Sequence, residues 1–189
     1  MAHPVKLPSL AVAFTIAVVG VSCSDGGRDD VDTAAARPDA GVPHAAELEA
    51  AALDIVAFLR GAAPFDDVSL DDSVVLYVSP EGGGARTVFE RGQLRDPAAW
   101  VVRSGGRSHA LAPPPGLTTL TTSVGRHFNC LEYPLSSRFE ALGQLPHVGV
   151  KLEPEAAESC LQTWNVTFVF DSAARPLRLV AAVYDQWEW

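Results

Sequence analysis

Positive charge is scarce in this chain. Its 14 Lys and Arg stand against 23 Asp and Glu, a formal net charge of −9 over 189 residues. So acidic a surface repels phosphate backbones and anionic lipid heads, which argues against nucleic acid as a partner. The apolar run at residues 7–19 has thirteen residues. A helix of that length spans about 20 Å, short of the roughly 30 Å of bilayer hydrocarbon, so a permanent membrane-spanning helix is the weaker reading. Several catalytic signatures are missing too. Gly82, Gly83 and Gly84 have no following Gly-Lys-Ser/Thr, which leaves them as turn residues rather than a phosphate cradle. Ser108 and His109 lie side by side without a G-x-S-x-G elbow. His44, His109, His127 and His147 show no zinc-site spacing, and no H-E-x-x-H occurs. Nothing in the sequence implies a metal or a cofactor.

Cysteine is the other rare residue, with three in all. One of them, Cys23, closes the segment "LPSLAVAFTIAVVGVSC", in which Lys6 precedes the apolar run and small residues follow it. A charged start, an apolar middle and small residues at the end describe a secretory signal. The run Gly20-Val21-Ser22-Cys23 resembles the lipobox of bacterial lipoproteins, although Gly20 stands where that family usually has an aliphatic residue. The resemblance implies loss of residues 1–22 and a diacylglycerol on Cys23, with a membrane as partner through that anchor. Ordinary cleavage and release of a soluble product is the alternative. Residues 24–43 carry five Asp and no apolar side chain bulkier than Val. They cannot bury enough surface to offset the entropy of ordering, so residues 23–43 read as a lipidated cysteine and a disordered tether.

Residues 44–189 then form a single globular domain of ordinary size. An exported chain with Cys130 and Cys160 remaining reads most simply as one with a disulfide between them. A bridge 30 residues apart contributes about 3.5 kcal/mol on the chain-entropy estimate.

Residues 44–60 repeat Leu48, Ala52, Ile55, Val56 and Leu59 at helical spacing, and Gly61 ends the pattern. Residues 73–79 read as a strand that turns through glycines into 85–90. A short strand is expected around Trp100, a rigid proline loop at 112–116, and an extended segment from 117. Ser137 and Glu140 suggest a capping box for a short helix stopped by Gly143. Strands follow at 147–153, 160–171 and 176–189. In the last, Leu177, Leu179, Ala181, Val183 and Trp187 are expected to share a face. Helices and strands do not alternate, so the expected class is α+β: an antiparallel sheet covered by the N-terminal amphipathic helix and one short helix.

Candidate sites are few. His127 and Cys130 invite a thiol mechanism, which a disulfide at Cys130 would remove. Asp66, Asp67, Asp71 and Asp72 lack calcium-loop spacing and read as solvated turns. Asn165-Val166-Thr167 matches a glycosylation sequon and reads better as strand residues. The aromatic end, Trp164, Tyr184, Trp187 and Trp189, can stack on a sugar or grip a peptide, or else pin the chain end as a clamp. The expectation is a tethered envelope binding or accessory protein with an envelope protein or glycan as partner. The alternatives are an envelope hydrolase assembled from distant residues, with His127, Asp185 and Glu188 as participants, and an inhibitor offering loop 112–116.

Overall fold

An alanine-rich stretch with apolar residues every three to four positions forms α1, Ala45–Leu59. It buries Leu48, Ala52, Ile55, Val56, Phe58 and Leu59 on one stripe. Gly61, at φ +71°, turns the chain out of the helix, a conformation that costs other residues more. This computed structural model describes residues 44–79, 84–131 and 133–185. Residues 1–43, including Cys23 and the expected leader and tether, lie outside them, as do Trp187, Glu188 and Trp189.

Among the described residues eight strands follow: β1 (Leu70–Val78), β2 (Arg86–Glu90), β3 (Val101–Ser104), β4 (Arg107–Ala110), β5 (Thr119–Val124), β6 (His147–Glu153), β7 (Trp164–Asp171) and β8 (Arg178–Tyr184). Six make one sheet in the order β2-β1-β8-β7-β6-β5, and β3 and β4 form a separate hairpin. Every neighbouring pair in the large sheet is antiparallel except β1 and β8, which run parallel. The second helix, α2, is only Glu140–Gly143.

The expected α+β class with a purely antiparallel sheet is therefore corrected. The protein is mostly β, and its large sheet is mixed. The first strand is inserted beside the last, and parallel neighbours need a crossover rather than a hairpin. Here the crossover contains most of the domain, so no local pattern announces it.

One face of the sheet carries the main core. Val74 and Leu76 of β1, Val148 and Val150 of β6, and Trp164, Val166 and Phe168 of β7 meet α1, Leu94, Trp100 and Leu111 there. Both indoles are satisfied: Trp100 Nε1 donates to Leu94 O at 2.9 Å and Trp164 Nε1 to Leu111 O at 3.1 Å. On the opposite face Val169, Ala181 and Val183 pack under Leu135, Phe139, Leu142 and Leu145.

Three local expectations change. The register shifts between Val169 and Phe170, opposite Leu179 and Ala181. Leu179 therefore lies in the main core with Ala182 and Tyr184, while Ala181 and Val183 face the other way. A bulge adds a residue on one side of the ladder, and strict alternation cannot survive it. The Ser137–Glu140 capping box does not form: Ser137 Oγ donates to Pro134 O at 2.8 Å, and Phe139 is the residue before α2. Gly143 is part of α2, and a Cβ there would collide with Ser136. Finally, β1 starts at Leu70, so Asp71 and Asp72 belong to a strand instead of a turn. Burial of Leu70 holds that end in the sheet.

Candidate functional site

The second face of the sheet is built in cross-strand rows, because opposed residues on neighbouring strands share a face. One row is Thr121, Lys151 and Asn165, and the next is Ser123, Gly149 and Thr167. Asp185, just past β8, donates its backbone N–H to Asn165 O at 3.0 Å and extends the polar area. Every residue of β7 from Trp164 to Phe170 is buried, yet Asn165 and Thr167 on this face are polar. Buried polar groups require partners, so something polar must cover them.

The cover is the connection from β5 to β6. These strands are neighbours, but residues 125–146 fold back over the sheet between them instead of turning tightly. Gly149 makes this possible: a Cβ there would overlap Arg126 O and press on Phe128. His127 then enters the sheet face. Its Nδ1 shares a 2.7 Å hydrogen bond with Thr167 Oγ1, and its Nε2 stands 3.7 Å from Asp185 Oδ2. Asn129 shapes the loop from inside. Its amide nitrogen donates to His127 O and Tyr133 O, and its oxygen accepts from the Leu131 and Tyr133 backbones. The tip is tied down by the Cys130–Cys160 disulfide, whose Cα atoms are 5.6 Å apart.

Between this loop and the segment entering β7 lies a cleft of about 860 Å³. Its floor is the row Thr121, Lys151 and Asn165, with Glu153 and Thr163 beside it. One wall is Gly125–Asn129 with Tyr133 and Pro134, and the other is Ala157–Cys160. The disulfide joins the two walls and so sets the width of the opening. Charge within the cleft is balanced. Lys151 Nζ and Glu153 Oε2 form a half-exposed pair at 2.6 Å, and Arg126 and Glu158 carry one charge of each sign.

The expected site residues are distributed unevenly. Cys130 and Cys160 are bonded, which removes the thiolate that a His127–Cys130 mechanism needs. Trp164 is 2 % exposed and Tyr184 3 %, both in the main core on the face away from the cleft. Neither ring presents a face to solvent. The sequon residue Asn165 is 3 % exposed inside β7, beyond the reach of a bulky glycan. His127 and Asp185, distant in sequence, are brought together. His109 lies in β4, while His147 in β6 shares a 2.8 Å hydrogen bond through Nδ1 with Leu145 O. Loop 112–116 stands between buried Leu111 and Leu117.

Thr121, Lys151 and Asn165 escaped the sequence reading as a group. The trace they leave is a strand apolar on one face and Thr-Asn-Thr on the other, set in a hairpin too buried to leave that face wet. No family model, no curated protein and no solved structure matches this chain.

Proposed function

We propose that the protein is an exported envelope lipoprotein, anchored through Cys23, whose folded domain is a non-enzymatic binding module acting through the cleft over β5, β6 and β7. The observation that carries the reading is the Cys130–Cys160 bridge. Such a bridge is what an oxidising compartment favours, and this one spans the walls of a polar, charge-balanced opening of ligand size. The lipobox-like segment supplies the anchor, and the acidic residues 24–43 supply reach away from the membrane.

A hydrolase has one observation in its favour, the line Thr167–His127–Asp185. Thr167 is fully buried, however, and Asp185 is 1 % exposed. A nucleophile must reach its substrate, and this hydroxyl is sealed under the loop. The line fits a lock that holds the loop on the sheet.

The test uses the full-length protein in its own cells. After detergent has extracted the lipids, wild-type protein remains with the envelope material. Thr121→Trp, which plugs the cleft from an exposed position, is released. Equal release of both proteins overturns the reading.

A further inference from the structure

Resting on that reading, we infer that the cleft takes a neutral, hydroxyl-rich ligand, a short stretch of saccharide, laid along the row Thr121–Lys151–Asn165. The row runs from an exposed hydroxyl through a half-buried ammonium to a buried amide. Strands stand about 4.8 Å apart, close to the length of one sugar ring, so three neighbouring strands present polar groups at the pitch of a glycan chain.

The buried end has a defined polarity. Thr163 Oγ1 donates its proton to Cys160 O at 2.6 Å, which leaves that oxygen free only to accept. Asn165 must therefore turn its Nδ2 toward Thr163, and does so at 2.9 Å. Its Oδ1 is left as a buried acceptor with no hydrogen-bond partner among the described residues. An acceptor in that state costs stability; it is closed to solvent in this structure, so a ligand hydroxyl relieves it once the Asn165 side chain turns toward the cleft it lines. Lys151 adds a donor and Thr121 a group that does both. Alternating donors and acceptors of this kind suit sugar hydroxyls, each of which donates and accepts.

Other ligand classes fit less well. The lining carries Glu153 and Glu158 on a chain of net charge −9, which disfavours an acidic ligand, while Lys151 and Arg126 disfavour a cation. A peptide that binds by strand addition pairs its backbone with a sheet edge, and one in polyproline form docks in an aromatic-lined groove. The cleft instead opens on the sheet face, where side chains are offered.

The inference is tested by calorimetric titration of the full-length protein with maltotetraose, cellotetraose and chitotetraose. A tetramer of galacturonic acid and a neutral Ser/Thr-rich peptide run beside them. At least one neutral tetrasaccharide binds, and Thr121→Val and Lys151→Ala each weaken it about tenfold, the effect of one lost hydrogen bond. Asn165→Leu removes the orphan acceptor while keeping the branched outline of the side chain. It weakens binding to the same degree while leaving the melting temperature unchanged or raised, an outcome that a merely structural role for Asn165 does not produce.

Failure of all three neutral sugars to bind, binding that ignores the three variants, or preference for the acidic sugar or the peptide overturns the inference. If the Thr121→Trp plug still releases the protein from the envelope in those cases, only the ligand class is wrong. If the plug has no effect, the cleft itself is not the binding site.

Discussion

His127 and Thr167 share a 2.7 Å hydrogen bond across the interface between the β5–β6 connection and the sheet. Thr167 is wholly buried and His127 6 % exposed, so water cannot replace either group. His127→Ala takes this bond from Thr167, removes the cation-capable neighbour of Asp185 and opens a cavity. A loss of about 3 kcal/mol in urea unfolding is expected. Amide hydrogen exchange of residues 125–133 should rise more than that of β7, because the imidazole holds the loop down. Unchanged stability and exchange would remove the lock.

Gly149→Ala tests the seat of the same loop. The new methyl would overlap Arg126 O, a backbone atom with little freedom to move. The expected cost is about 1–3 kcal/mol, as for overpacked cores, read as a lower urea midpoint at unchanged slope. A neutral result would show that the loop does not rest on β6.

The Cys130–Cys160 bridge closes a loop of sequence separation 30. Replacing both residues by Ala is expected to lower stability by about 3.5 kcal/mol on the chain-entropy estimate. Envelope retention should fall as well, since the bridge spans the walls of the cleft. Stability lost with retention intact would mean that the bridge serves the fold alone.

Trp164→Phe separates the core from the cleft. The indole donates to Leu111 O at 3.1 Å on the far face of the sheet, and its loss is expected to cost about 1–2 kcal/mol. Ligand affinity should be unchanged. A tenfold weaker complex would place the tryptophan at the binding surface after all.

Cys23→Ala addresses the anchor. Cells fed a clickable fatty acid should label the wild-type protein and not the variant. Labelling at full strength in the variant would refute lipidation at this residue.

Several elements could be read directly from the residues. Leu48, Ala52, Ile55, Val56 and Leu59 mark α1 because helical spacing is a local property. Alternation marks β6, and so does the Trp164–Phe168 stretch of β7, for the same reason. Alternation failed where a bulge intervened, at Leu179 and Ala181. The capping pair Ser137 and Glu140 failed because the serine hydroxyl donates to Pro134 O and Phe139 occupies the position before α2. His127 and Asp185 could be grouped from the residues only as participants in a hydrolase assembled from distant segments, and the loop that brings them within 3.7 Å was not visible. That loop folds back over a glycine, and Gly149 in a β pattern looks like any other weak strand residue.

By itself, the order of residues determined the acidic charge, the helix, most of the strands and the pairing of two of the three cysteines. The charge follows from composition, the helix and strands from periods of three to four and two residues, and the pairing from reading Cys23 as the residue of an export signal. Only the tertiary structure decided that β1 lies parallel to β8, that residues 125–146 roof the polar face, and that Thr121, Lys151 and Asn165 line one cleft. Those are contacts between distant segments. Their free energy comes from burying one surface against another, which appears only when the chain has already brought both together.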